Sequence, residues 1–147
     1  MKLLLYILIL AAAALVPARG TDVGKLIPME VVSVSESNGV IRVETDTGDW
    51  GEGENLDDAF RDMEDTAPGI IYLDTAEYAL IGEGMNPQIL CGYLKDSVRI
   101  CRAAEGIPLE GIADYLSAHG PGVRLRRTEE DGNLPVITEE NGRYRVQ

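Results

Sequence analysis

Acid–base catalysis in proteins most often uses histidine, and this chain contains a single one, His119. It stands beside Gly120 and Pro121 at the predicted end of a helix, where a histidine is typically a hydrogen-bonded or cationic terminal residue. The sequence contains no G-x-S-x-G nucleophile motif, no P-loop, no G-x-G-x-x-G and no H-E-x-x-H. We therefore predict no catalytic residue, no cofactor and no metal.

The densest group of carboxylates is in residues 46–54 (DTGDWGEGE), which we predict to be a flexible, solvated loop. Clustered carboxylates suit calcium, but the EF-hand spacing needs an oxygen ligand where Gly48 stands, so a nonspecific cation site is the alternative. Two further acidic pairs are interpreted as the first turn of a helix and a surface run. These are Asp57 with Asp58 and Glu129 with Glu130. A hydrolase built on dispersed carboxylates stays open.

Trp50 is the sole tryptophan and lies among the glycines of this acidic segment. Aromatic residues are enriched at binding hot spots, so an exposed Trp50 would be a partner or ligand anchor. A tryptophan that folds back over the edge of the domain is the favoured alternative. Deep burial of Trp50 would exclude the anchor role.

Cys91 and Cys101 are the two cysteines of the chain. In an oxidising compartment they can form a disulfide, which requires Cα atoms within about 7 Å of each other. Both lie in apolar stretches, and the favoured interpretation is that each is a free, small, buried hydrophobe. Without a CxxC pair or a Cys/His cluster, no zinc site is predicted.

The chain begins with Met1 and Lys2, continues with the apolar residues 3–16 and then reads Pro-Ala-Arg-Gly over residues 17–20. This order is typical of a secretory signal peptide, with cleavage before Thr21. The apolar run is short for a spanning helix, which needs about 20 residues. We therefore predict that residues 1–20 are a signal peptide and that the protein is exported. An uncleaved N-terminal anchor is the alternative, and an internal helix is the least favoured.

The chain has 13 basic and 25 acidic residues, which gives a net charge of −12. Such a surface repels phosphate backbones and anionic headgroups, so we predict no nucleic-acid binding and no membrane contact outside an uncleaved N-terminal segment. Residues 21–147 are enough for one compact domain and too few for two ordinary ones.

Period-two alternation predicts a β-hairpin over residues 26–35 and 40–45, with an Asn38-Gly39 turn. Asn55, followed by acids, predicts the start of a helix that ends near residue 68. Strands are predicted at 70–73, 77–81 and 97–104, two further helices at 86–95 and 108–118, and a second hairpin at 134–138 and 143–146. The fold class is therefore α+β, a single small domain in which about three helices pack on a mixed β-sheet behind a signal or anchor helix.

Residues 53–60 (GENLDDAF), 71–73 (IYL), 77–83 (EYALIGE) and 94–101 follow one another in an order that resembles a known family. The segment is similar to the N-terminal domain of the C-type subunit of spore germinant receptors, the Ger(x)C family. There a glycine-led helix, a turn, a buried strand, a helix and an arginine-containing strand succeed one another. The resemblance covers residues 26–118 approximately and implies a non-catalytic subunit that works with membrane-embedded receptor subunits at the cell envelope.

The chain departs from the family pattern in two respects. Family members are lipoproteins of several domains, whereas residues 15–22 contain no lipid-bearing cysteine and the chain is long enough for the first domain alone. The usual histidine of the turn is replaced by Asp74 or Thr75. The resemblance therefore transfers no functional residue. Our leading hypothesis is an exported, non-catalytic binding or assembly domain, and the alternatives are a small secreted carboxylate-based hydrolase and a secreted ligand-binding module that uses Trp50.

Overall fold

The structure is a computed structural model that describes residues 23–104, 106–128 and 133–147. These residues form a mixed β-sheet, a two-stranded sheet and two α-helices, so the α+β class is confirmed. The predicted leader, residues 1–20, lies outside the described residues. The strands are β1 (Leu26–Pro28), β2 (Val31–Ser37), β3 (Val40–Thr45), β4 (Trp50–Gly53), β5 (Ile70–Tyr72), β6 (Tyr78–Ile81), β7 (Arg99–Ala103), β8 (Val123–Arg124), β9 (Val136–Glu140) and β10 (Arg143–Val146), and the helices are α1 (Leu56–Thr66) and α2 (Ile112–His119).

The main sheet has the strand order β10-β9-β7-β6-β2-β3-β4. Its centre is parallel, because β2, β6, β7 and β9 run in one direction. The hairpin partners β3, β4 and β10 add antiparallel strands at the two edges. β8 pairs with the first residues of β7, in line with β9. β1 and β5 form the separate, parallel two-stranded sheet.

Each face of the main sheet has its own hydrophobic core, as the alternation of side chains along a strand requires. On one face, sheet residues such as Val32 and Ile81 pack against α1, which contributes Leu56, Ala59, Phe60 and Met63. On the other face, Val31, Leu80 and Cys101 pack against α2. We call these the α1 face and the α2 face.

The two predicted hairpins are confirmed at their turns. Asn38 and Gly39 have positive φ angles of 53° and 78°, and Asn141 and Gly142 have φ angles of 55° and 74°. Positive φ at both central residues matches a type I′ turn, whose twist suits a two-residue hairpin and which favours the Asn-Gly dipeptide. The local sequence therefore sets the pairing register of β2 with β3 and of β9 with β10.

The prediction of three helices was wrong, because residues 86–95 form only a 3₁₀ turn, Pro87–Leu90. Asn86 caps that turn by accepting a hydrogen bond from Gln88 N through its side chain. The turn then ends at Cys91, whose backbone is extended, and Gly92 has a left-handed φ of 93°. A left-handed residue cannot continue a right-handed helix.

Three other boundaries differ from the prediction. The first strand divides at Met29 and Glu30 because side chains bind its backbone there: Met29 N donates to Thr75 Oγ1, and Glu30 N donates to the Asp46 carboxylate. The third predicted helix begins at Ile112 rather than at residue 108, since Gly111 has a left-handed φ of 75°. The predicted loop at residues 46–54 contains strand β4.

Candidate binding face

Two glycines determine which face of strand β4 packs on α1. A Cβ atom on Gly51 would lie 2.3 Å from Ala59 O and from Met63 N, and one on Gly53 would lie 2.5 Å from Ala59 N. The backbone of α1 therefore packs directly on the backbone of β4, an approach that only glycine permits. Because side chains alternate along a strand, Trp50 and Glu52 point to the α2 face.

Arg42 lies at the centre of the side chains on that face. Its guanidinium carbon is 4.4 Å from the centroid of the Trp50 ring, its Nη1 is 2.8 Å from Glu52 Oε1, and its Nε is 3.5 Å from Glu44 Oε2. The cross-strand register explains the contacts, since Arg42 pairs with Glu52 and Glu44 pairs with Trp50. We call these four residues the Arg42 cluster.

The Arg42 cluster is accessible from solvent. Trp50 is 46% exposed, and the side chains of Arg42, Glu44 and Glu52 are 39%, 42% and 46% exposed. A guanidinium over an indole ring contributes about 0.5–1 kcal/mol at exposed sites, which favours the stacked arrangement of the two groups. Trp50 is thus an exposed aromatic side chain whose stacked orientation is favoured before any partner arrives.

The cluster belongs to a half of the sheet that no described helix covers. α2 packs on β6, β7 and β9 and on Val31 at the start of β2, so the α2 face is open along β3, β4 and the part of β2 that follows Val31. A groove of about 550 Å³ runs along this open half-face. It is lined on one side by Ser33, Ser35 and Arg42 and on the other by Ala104 and Ile107. Its mixed polar lining suits a polar or peptidic ligand.

The structure bears on each residue considered from the sequence. Trp50 is not deeply buried, so the anchor role stays open. His119 lies at the end of α2, where Nδ1 is 2.8 Å from Tyr115 O and the ring stacks on Tyr115. Asp57 and Asp58 stand in the first turn of α1, as predicted, whereas Glu129 and Glu130 lie outside the described residues.

The disulfide considered between Cys91 and Cys101 is not formed, and both cysteines are free. Cys101 is fully buried on the α2 face, and Cys91 is exposed on the turn that follows Leu90 of the α1 core. Cys91 Sγ donates to Gln88 Oε1 at 3.1 Å. Burial raises the pKa of the Cys101 thiol to about 12, which opposes formation of the reactive thiolate.

Hydrogen bonds to β2, to the residue before it and within the segment hold the acidic segment in place. The Asp46 carboxylate accepts from Glu30 N and Val31 N, and Asp49 accepts from the Thr47 hydroxyl. Across the described parts of the chain, no three His, Cys, Asp or Glu side chains are grouped as a metal site would need. Likewise, none of the helices described is long and apolar enough to cross a membrane.

One further aromatic contact joins α1 to the loop before β7. The Tyr93 hydroxyl donates to Asp57 Oδ1, and its ring stacks on Phe60 with centroids 5.1 Å apart. The hydrogen bond to the Asp57 carboxylate raises the pKa of Tyr93, because the phenol loses that bond when it ionises. We assign this contact a structural role, since it fixes the first turn of α1 beneath β4.

Arg42, Glu44 and Glu52 were not predicted to be site residues. The signal was present in residues 40–45 (VIRVET), where Arg42 and Glu44 occupy the polar positions of the alternation. It was also present in Trp-Gly-Glu-Gly, where alternate glycines mark one strand face that another backbone can approach closely.

No family model, no curated protein and no solved structure matches this chain. The resemblance to germinant-receptor C-type subunits therefore rests on the sequence motifs quoted above.

Proposed function

We propose that the protein is an exported, non-catalytic binding or assembly domain whose partner docks on the open half-face of the sheet. The observation that carries this proposal is the exposure of Trp50, at 46%, on a face that no described helix covers. A tryptophan in this position provides a large contact area and few rotatable bonds, which are the properties of a binding hot spot.

The surroundings of Trp50 support a binding role. Binding immobilises side chains and thereby costs free energy, and this cost is lower when the free protein already holds them. Arg42 stacks on the indole ring and is itself held by two carboxylates. The Arg42 cluster is therefore partly preorganised, and it combines an apolar surface with charges of both signs.

The leader and the family resemblance support the cellular context that we propose. Residues 1–20 have the composition of a signal peptide. The helix α1 and the strands β6 and β7 follow one another as in the Ger(x)C pattern, although the helix that the pattern has between the two strands is a 3₁₀ turn in this chain. We infer that the partner is a membrane-embedded receptor subunit of an endospore-forming bacterium. N-terminal sequencing of the mature protein tests export, since a start at Thr21 supports a cleaved leader and a start at Met1 supports a retained anchor.

The binding role is tested with Trp50→Ala and the matched control Tyr72→Ala. Tyr72 is 40% exposed and lies on the separate β1–β5 sheet, so its loss removes an exposed aromatic from another surface. We expect Trp50→Ala to abolish co-purification with the receptor subunits from detergent-solubilised membranes and to slow spore germination. Tyr72→Ala should do neither. Equal behaviour of Trp50→Ala and the unaltered protein would refute the role of this face.

A secreted hydrolase is the second candidate, because four glutamates line the groove and two of them, Glu44 and Glu52, are neighbours. A glycosidase needs one protonated carboxylic acid in an apolar environment and one carboxylate. Glu44 and Glu52 instead share one guanidinium and are each more than 40% exposed, which favours binding over catalysis. If the protein released nitrophenol from chromogenic glycosides and the Glu52→Gln variant did not, catalysis would be favoured over binding.

A further inference from the structure

The two edges of the main sheet are finished in different ways, beginning with β4. Thr45 and Asp49 are hydrogen-bonded across the turn that joins β3 to β4, and Gly51 and Gly53 then bond to β3 by the alternation of an antiparallel pair. Glu52 N therefore points away from the sheet, where it donates to Asp62 Oδ2 of α1 at 2.9 Å. An incoming strand would have to displace this bond, so the β4 edge is closed.

The β10 edge has no such cover. Val136 and Gln147 lie opposite each other and exchange both backbone hydrogen bonds. Hydrogen-bonded pairs alternate along an antiparallel ladder, so the backbone groups of Arg145 and Arg143 also point towards β9. The N–H and C=O groups of Tyr144 and Val146 point outward, and no described residue bonds to them. An edge with free backbone groups is a template for a further strand.

The side chains of β10 define what that strand can carry. Arg143 and Arg145 are exposed on one side of the strand, and Arg145 makes one long ion pair, 3.6 Å, with Glu140. Both arginines lie on the α1 face, because Tyr144 and Val146 share the α2 face with Ile137. Two exposed arginines therefore occupy alternate positions along the free edge of a protein whose net charge is −12.

A second copy of this chain does not fit the β10 edge. If two β10 strands paired antiparallel with Tyr144 opposite Tyr144, Arg143 would stand opposite Arg145. If Tyr144 stood opposite Val146, Arg145 would face Arg145. Like charges directly opposite each other destabilise a strand pair, so both registers that use the free groups fully are disfavoured.

We propose that β10 is the docking edge for an extended segment of a partner protein that carries acidic side chains at alternate positions. The backbone of that segment pairs with Tyr144 and Val146, and its carboxylates lie opposite Arg143 and Arg145. Strand addition of this kind takes its affinity from the main chain and its specificity from alternate side chains. The proposal goes beyond the binding role of the open half-face and involves none of the residues of the Arg42 cluster.

The test uses a fluorescein-labelled short peptide of alternating valine and glutamate residues, with the same peptide containing lysine as its control. We expect the glutamate peptide to bind about tenfold more tightly than the lysine peptide, as two favourable cross-strand charge pairs imply. The double variant Arg143→Gln, Arg145→Gln should remove this preference. Both side chains are exposed, so the variant should fold normally, as circular dichroism will check.

Amide hydrogen exchange then distinguishes strand pairing from charge attraction alone. With the glutamate peptide bound, the amides of Tyr144 and Val146 should exchange more slowly, whereas the amide of Arg145, already paired to β9, should not change. Two N-methylated peptides are compared, one methylated at the odd-numbered amides and one at the even-numbered amides. Only the peptide whose methylated amides face β10 should lose binding. Equal affinity of the glutamate and lysine peptides, or unchanged exchange at Tyr144 and Val146, would overturn the proposal. A dimer formed through β10 by the protein alone would also overturn it.

Discussion

Replacement of Gly51 by alanine tests whether close packing of α1 on β4 builds the binding face. The added Cβ would lie 2.3 Å from Ala59 O and from Met63 N, whereas ordinary contact begins at 3.4 Å. Helix and strand must therefore separate by about 1 Å, which disturbs the contacts of Ala59 and Met63 in the core. Overpacking of this kind costs about 1–3 kcal/mol, and we expect the upper end because the atoms met are backbone atoms.

A loss of about 3 kcal/mol is a large part of the 5–15 kcal/mol by which a small domain is stable. With a urea dependence of about 1–3 kcal/mol per molar, the unfolding midpoint of Gly51→Ala should fall by at least about 1 M. The assay is equilibrium urea unfolding followed by circular dichroism. The matched control is Gly82→Ala, whose Cβ would meet Met85 Sδ and Ser35 Cα at an ordinary 3.5 Å. It should change stability by no more than about 0.5 kcal/mol. Equal midpoints for the two variants would refute this account of the β4–α1 packing.

The remaining predictions concern the cysteines and the closed sheet edge. In the folded protein one thiol should react rapidly with a disulfide reagent and the other only after unfolding, and Cys91→Ser should remove the rapid phase; two rapid phases would contradict the burial of Cys101. Because burial raises the pKa of Cys101 from 9.0 to about 12, the folded state keeps a proton that the unfolded state loses. The free energy of unfolding should therefore decrease as pH rises from 9 towards 12, by up to about 1.4 kcal/mol per pH unit from this group. Cys101→Ala should show a correspondingly shallower decrease, and an equal slope would contradict the assignment. Asp62→Ala should free the outward N–H of Glu52 and promote self-association, measured by size-exclusion chromatography with light scattering; a monomer indistinguishable from the unaltered protein would show that Asp62 does not close this edge.

Features specified by neighbouring residues were predictable from the sequence. The Asn38-Gly39 turn, the capping of α1 by Asn55 and the buried strand Tyr78–Ile81 depend on local backbone preferences and on periodicity, and all three are confirmed. The helix predicted at residues 86–95 failed because the left-handed conformation of Gly92 outweighs a favourable cap and apolar spacing.

Features that depend on distant residues were not predictable in this way. The glycines around Trp50 indicated a loop, but their role follows from contact with Ala59 and Met63 of α1, which is known only once the helix is placed. The exposure of Trp50 depends in the same way on the position of α2, which covers the sheet no further than Val31 of β2 and leaves β3 and β4 open. The Arg42 cluster could be assembled only after the β3–β4 register was known.

The most direct test of the proposed function uses the fluorescence of Trp50, the sole tryptophan of the chain. Detergent-solubilised receptor subunits are titrated with the protein, and their own fluorescence is a constant background. A parallel titration with the Trp50→Ala protein measures this background, which is then subtracted. If the partner docks on the open half-face, the emission of Trp50 should shift to shorter wavelength and its quenching by acrylamide should fall. Emission and quenching that stay unchanged at saturating partner concentration would contradict the proposal.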